Sequence, residues 1–106
     1  MSGIVSVYAI FADAEEARRI CRIAIEERLA ACANILGPCR SVYRWQGAVE
    51  EAEEVPAILK VRADKAEGLV ARIAELHSYE VPAITVWPIE QALAAYSAWV
   101  AREGQA

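Results

Sequence analysis

The chain has 106 residues, which suits one compact domain over residues 1–106 built around one hydrophobic core. Its hydrophobic fraction of 57% is high, yet no apolar run is long enough to cross a bilayer as a helix, and the N-terminus carries no basic region followed by an apolar block. A cytoplasmic protein with no membrane partner is expected. The net charge is −4, with Lys and Arg dispersed among Asp and Glu, so no basic stripe is available to neutralise phosphates and no nucleic-acid partner is expected.

The stretch GIVSVYAIF (residues 3–11) is β-branched and aromatic at both alternating positions, which predicts a strand covered on both faces. Asp13 follows as an N-cap, with Glu15 and Glu16 in the first turn, where the helix dipole favours negative charge. Ala17, Ile20, Cys21, Ala24 and Ile25 fall on one stripe and predict an amphipathic helix to about Ala31. Residues 32–63 read as two strands joined at Gln46-Gly47, a dipeptide suited to a tight turn with positive φ. Gly37-Pro38 interrupts the first of these strands, and because proline cannot donate to a ladder a bulge or an edge position is expected there. The second strand is acidic from Glu50 to Glu54 and apolar from Ala57 to Val61. A second helix is predicted from about Lys65, with Ala66, Leu69, Val70, Ile73 and Leu76 inward and His77 closing its last turn; Gly68 weakens it by ~1 kcal/mol relative to alanine. Residues 83–89 form another strand, and residues 90–103 a last helix with Leu93, Tyr96, Trp99 and Val100 inward.

The order βαββαβ plus a terminal helix predicts an α+β fold of ferredoxin-like type. It consists of a four-stranded antiparallel sheet with both long helices on one face and a long hairpin between the second and third strands. Two helices cover one face only. The first strand is nevertheless apolar on both faces, and the hairpin arm from Ser41 to Glu54 carries Tyr43 and Trp45 beyond any core. The uncovered face is therefore expected to be a subunit interface, with the arm pairing edge to edge with a neighbour. The alternative is that the terminal helix folds across it.

The three cysteines show no CxxC spacing, so reduced thiols are expected. Cys21 belongs to the inner stripe of the first helix and behaves as a small hydrophobe. Cys32, between Ala31 and Ala33, is expected to be tightly buried, with a ligand role as the alternative. Cys39, beside Arg40, is expected to be the most exposed of the three, open to a soft metal or to oxidation. His77, the single histidine, either donates to the free carbonyls at its helix end or ligates a metal. Glu80 stands nearby as a second donor or as a partner for an arginine. The carboxylate pairs Glu15-Glu16, Glu26-Glu27, Glu50-Glu51 and Glu53-Glu54 read as solvated faces. Lys60 alternates with Ile58 in an apolar inner strand, where a buried or interfacial ammonium needs a carboxylate or an anionic ligand. There is no glycine-rich phosphate loop, nucleophile elbow or HExxH, and Ser78 beside His77 makes no nucleophile–base pair by adjacency alone; no enzymatic activity is expected.

The runs EERLAACANI (26–35), VYRWQG (42–47), ILKVR (58–62) and LHSYEVPAI (76–84) resemble the CutA family of divalent-cation tolerance proteins, and the resemblance extends from the first strand to about Trp99. It implies a compact homotrimer whose hairpin arms extend each sheet into the next subunit. It also implies binding or tolerance of copper or another divalent cation, with His77 and Cys32 as metal-site residues near the cleft between subunits, to which the residue reading adds Glu80 as a further metal donor. Ala9 and Leu76 stand where some members carry a cysteine and a second histidine, and Ser78 and Ala83 replace a proline and a glutamate of the usual motif. Such trimers are similar to PII-type signalling proteins. In that alternative, Tyr43, Trp45, Lys60, His77, Tyr79 and Glu80 line an inter-subunit pocket for a small anionic ligand.

Overall fold

The computed structural model describes residues 2–105. In chain order the elements are β1 (Ile4–Phe11), α1 (Ala14–Glu26), β2 (Cys32–Ile35), β3 (Cys39–Trp45), β4 (Ala48–Arg62), α2 (Ala66–Leu76), β5 (Ile84–Pro88) and α3 (Ala94–Glu103). A short 3-10 turn, Ala63–Lys65, leads into α2. The strand order is β2-β4-β1-β5, with β3 paired to the outer half of β4, and every pairing is antiparallel.

The sheet has five strands where four were expected, because Gly37-Pro38 divides the predicted second strand into β2 and β3. Pairing with β4 persists up to the break, where Leu36 N–H still donates to Pro56 O at 2.9 Å. Ile35 faces Ala57 before the break and Cys39 faces Glu54 after it, so the register moves by one residue. An extra residue on one strand is the signature of a bulge. β4, by contrast, runs unbroken for 15 residues. At the tip, Gln46 (φ 50°) and Gly47 (φ 85°) both adopt the left-handed conformation that a two-residue hairpin turn requires.

Alternation along the strands places the core. Val5, Val7, Ala9 and Phe11 of β1 and Val55, Ala57, Leu59 and Val61 of β4 point toward α1 and α2, where they meet Ala17, Ile20, Cys21, Ala24, Leu69 and Ile73. Cys21 is core, as its place in the stripe predicts. Asp13 caps α1, accepting from Glu16 N–H at 2.8 Å. The helix stops at Glu26, well short of Ala31, because Arg28 turns the chain at φ 60°. That conformation costs a non-glycine residue about 1 kcal/mol. It is offset by the Arg28 guanidinium, which donates to Arg102 O at 2.9 Å and Glu103 O at 3.2 Å and so caps the end of α3.

The last helix begins at Ala94, later than the expected residue 90, and Leu93 is its extended, exposed N-cap residue, pointing outward where an inward position was expected. Val100 is fully buried against Ile4 and Ala31, with Tyr96 and Trp99 alongside. Thus α3 covers one end of the second sheet face. Farther along that face Tyr8, Ile10 and Ile58 are half-buried, and Trp87, stacked on Tyr8 with ring centres 4.6 Å apart, is exposed. The β3–β4 arm projects from the body and accounts for the long dimension of a molecule measuring 45 × 26 × 23 Å.

Candidate functional site

The loop between α2 and β5 carries the candidate histidine. His77 is the C-cap residue of α2, with extended backbone, and its side chain is buried. Its ring does not turn back on the carbonyls of its own helix as expected. Nε2 lies 2.7 Å from Ile10 O of β1, Nδ1 accepts from Tyr79 N–H at 3.1 Å, and the ring stacks on Phe11 at 5.3 Å. A ring that accepts at Nδ1 carries its proton on Nε2, and that proton is donated to Ile10 O. Both nitrogens are engaged within the protomer.

Two carboxylates hold this loop in place. Glu16 accepts from Ala12 N–H at 3.0 Å and from Ser78 N–H at 2.9 Å, joining the start of α1 to the loop. Burial pushes its carboxyl up, but hydrogen bonds from Ser78 and Ala12 and the nearby His77 outweigh that and leave it below the ordinary glutamate value. Glu54 of β4, also buried, accepts the Tyr79 hydroxyl at 2.6 Å. Burial first, then this carboxylate, raise the Tyr79 phenol well above its usual range. Glu16 and Glu54 therefore do not belong to solvated faces, as their doublets suggested; each is buried because it satisfies donors that would otherwise be orphaned.

Beside this loop, where the arm leaves the body, lies a cleft of about 570 Å³ lined by Ile10, Ser41, Tyr43, Arg44, Trp45, Glu50, Glu54, Tyr79, Glu80, Val81 and Ala83. It collects Tyr43, Trp45, Tyr79 and Glu80 of the sequence-predicted residues. His77 stands behind Tyr79 and does not line it; Lys60 and Cys32 lie elsewhere. Cys32 faces Lys60 across β2 and β4, and Lys60 faces Ser6 across β4 and β1. The Cys32 Sγ is 3.3 Å from Tyr96 Oη, and burial followed by this thiol pushes the Tyr96 phenol up to about 12. Ile10, the partner of His77, is paired with Pro56, whereas Cys32 is paired with Lys60; those positions are about 14 Å apart along β4. One protomer thus does not bring His77, Cys32 and Glu80 together. Among the described residues no group of three or more His, Cys, Asp or Glu side chains is placed to hold a metal ion. Cys39 is half-buried like Cys32, its Sγ 3.8 Å from Ser41 Oγ.

Sequence reasoning missed Glu16, Glu50 and Glu54. Glu16, three positions after the Asp13 N-cap, carries a capping-box signal. Glu50 and Glu54 share the alternating face of β4 that continues through Pro56 to Ile58, which marks them as pointing to one side of the sheet.

The profile of one protein family, described as CutA1 divalent ion tolerance protein, matches residues 5–103. The divalent-cation tolerance protein CutA of Pyrococcus horikoshii is 43% identical over 100 residues, covering 94% of this chain and 97% of its own length. That of Thermus thermophilus is 41% identical over 86 residues, covering 81% of this chain and 84% of its own. The solved structure of the periplasmic divalent cation tolerance protein CutA from Archaeoglobus fulgidus superposes with a TM-score of 0.93 at 33% identity, covering 96% of this chain and 99% of that one. The match takes in β1, the arm, the loop after α2 and α3, and with them every wall of the cleft: this chain belongs to the CutA1 family of divalent ion tolerance proteins.

Proposed function

We propose that this chain serves divalent ion tolerance as a non-enzymatic homotrimer that takes up a divalent cation, copper foremost, in the cleft at the base of its arm. The observation that carries this reading is the charge balance of the cleft, where Glu50, Glu54 and Glu80 stand against Arg44 alone. Such a lining attracts cations and repels anions. Carboxylate oxygens suit hard divalent ions, and copper(II), at the top of the divalent affinity order, binds the same donors more tightly still. Since the donors of one protomer form no closed cage, the ion keeps water ligands or gains a donor from a neighbour. In this reading His77 acts from behind the wall, holding the Tyr79 backbone in place. Assembly is supported by the partly uncovered second sheet face and by the exposed Val42 and Val49 of the arm. The reading in which the cleft takes an anionic effector finds no comparable support, because Lys60 does not line the cleft and the carboxylates oppose an anion.

The test is calorimetric titration of wild type, Glu80→Gln, His77→Ala and Cys32→Ser with copper(II) and manganese(II), with mass measured by light scattering. Binding weakened by Glu80→Gln, unchanged by Cys32→Ser and accompanied by a three-subunit mass is expected. Wild-type affinity in Glu80→Gln would remove the cleft from the metal assignment. Loss of copper uptake in Cys32→Ser alone would move the site to the thiol, and a single-subunit mass would remove the trimer.

A further inference from the structure

We propose that the groove between α1 and β2 binds a single-chain aliphatic carboxylate, an amphiphilic anion with an apolar tail and one acidic head. The groove has a volume of about 440 Å³, within the ~300–1,000 Å³ range of small-molecule sites, and lies on the helix-bearing side of the sheet. Ala33 and Ile35 of β2 face it. They pair with Leu59 and Ala57, whose side chains point toward the helices, whereas Cys32 and Asn34 pair with Lys60 and Ile58 of the opposite face. That opposite face and the arm are the surfaces left for subunit contact, so assembly through them leaves this groove open. β2 is the last strand on its side of the sheet, and Ile35 stays 40% exposed on it.

Floor and rim differ in chemistry. Ile25, Ala33 and Ile35 give an apolar floor, and Arg18, Arg19 and Arg22 of α1 stand along it against Glu15 alone. Arg19 is held by Glu15 at 3.9 Å and Glu16 at 4.0 Å, and Arg22 by Glu26 at 3.0 Å. Among the described residues Arg18 pairs with no carboxylate. Arg18 and Arg22 are four positions apart on the helix, hence neighbours on one face and within reach of one head group. The side chains of Arg22 and Glu26 are 80% and 60% exposed, so their pair contributes little and yields to a ligand at small cost. A guanidinium receives a carboxylate through two parallel N–H bonds. A small inorganic anion leaves the floor wet, a neutral chain leaves Arg18 unmatched, and a cation is repelled by the excess of arginines. Head and tail in one molecule match both parts of the groove.

The experiment is calorimetric titration of the intact protein at pH 8 with sodium octanoate below its micelle concentration. Sodium acetate serves as the head without the tail and 1-octanol as the tail without the head, all at one ionic strength. Octanoate is expected to bind at least about tenfold more tightly than either, since several methylenes and one charge are matched together. Arg18→Gln should weaken octanoate binding about three- to tenfold, while Arg18→Lys keeps part of it. Arg102→Gln removes a charge outside the groove and should leave it unchanged. Arg18 is exposed, and circular dichroism checks that its variants fold. No octanoate binding overturns the inference, as does equal affinity in Arg18→Gln and wild type. Equal losses in Arg18→Gln and Arg102→Gln reveal unspecific charge attraction, and octanol binding as tightly as octanoate removes the acidic head; either result overturns it as well.

Discussion

Replacing Glu16 by glutamine tests whether one buried carboxylate fastens the candidate loop to the body of the fold. Its two oxygens accept from Ala12 N–H at 3.0 Å and Ser78 N–H at 2.9 Å, and the residue is only 4% exposed. Glutamine keeps one acceptor and turns an NH₂ group toward the other donor. One charge-assisted bond is lost and one peptide N–H is orphaned. A hydrogen bond to a charged group contributes ~1.5–3 kcal/mol and an orphaned buried donor costs ~1–3 kcal/mol, so, allowing for partial relaxation, a loss of about 2–4 kcal/mol is expected. Equilibrium urea unfolding at pH 7 and fixed protein concentration measures it. The pH dependence has a definite sign. The folded carboxyl sits below its unfolded value, so its contribution is complete above about pH 4.3 and drains away as the pH falls through that value and below. Wild type and variant should converge on acidification, and hydrogen exchange at Ser78 and Tyr79 should quicken in the variant at pH 7. A loss under about 0.5 kcal/mol at pH 7, or a gap that widens in acid, would refute the reasoning.

Gly104→Ala places a Cβ 3.2 Å from Ala31 N and 3.3 Å from Ala30 C, both backbone atoms. A loss of about 1–3 kcal/mol in thermal or urea unfolding is expected, and an unchanged midpoint would show that α3 shifts freely. Burial pushes the Cys21 thiol up to about 11, so iodoacetamide at pH 8 should leave it unlabelled in peptide mass spectra while Cys32 and Cys39 react; equal rates would contradict its place in the core. In an ultraviolet titration one tyrosine should ionise at about 12 and be missing from Tyr96→Phe. Because that folded value lies above the unfolded one, the stabilisation from the phenol persists below about pH 10 and is lost as the pH rises through the folded value. His77→Ala removes both ring bonds and the stack on Phe11, and a loss of about 2–4 kcal/mol with faster exchange at Tyr79 is expected; unchanged exchange there would deny the histidine its positioning role.

Period and punctuation in the sequence reveal most of the architecture. The alternation of β1, the stripe of α1 and the Gln46-Gly47 turn are local properties, and each is present where the pattern puts it. The ends of helices are less legible. α1 stops early because Arg28 finds carbonyls on α3, seventy-four residues away, and no local pattern encodes that partner. The start of α3 is not legible either, since residues 90–93 are compatible with a helix in composition yet lie outside it. For the site, the aromatics and Glu80 are legible, but the binding surface around them depends on the register between β3 and β4, which brings Tyr43 opposite Glu50. The sequence offers His77 as either a cap or a ligand, and its actual partners, Ile10 and Tyr79, follow from the packing of α2 over β1. Lys60 stands out by its unusual place in an apolar strand, but strand position alone does not say which end of the sheet a side chain serves.

At the ordinary rise per residue, the fifteen residues of β4 form a beam about 45 Å long, its outer half exposed and its inner half the central member of the body. Its companion in the arm is spliced at Gly37-Pro38, whereas β4 has no joint. A pull at the arm tip is therefore borne by β4 and delivered straight to its ladder with β1. Arm stiffness and body strength are then two readings of one girder, and an arm gripped by a neighbour would brace the interior of its own subunit.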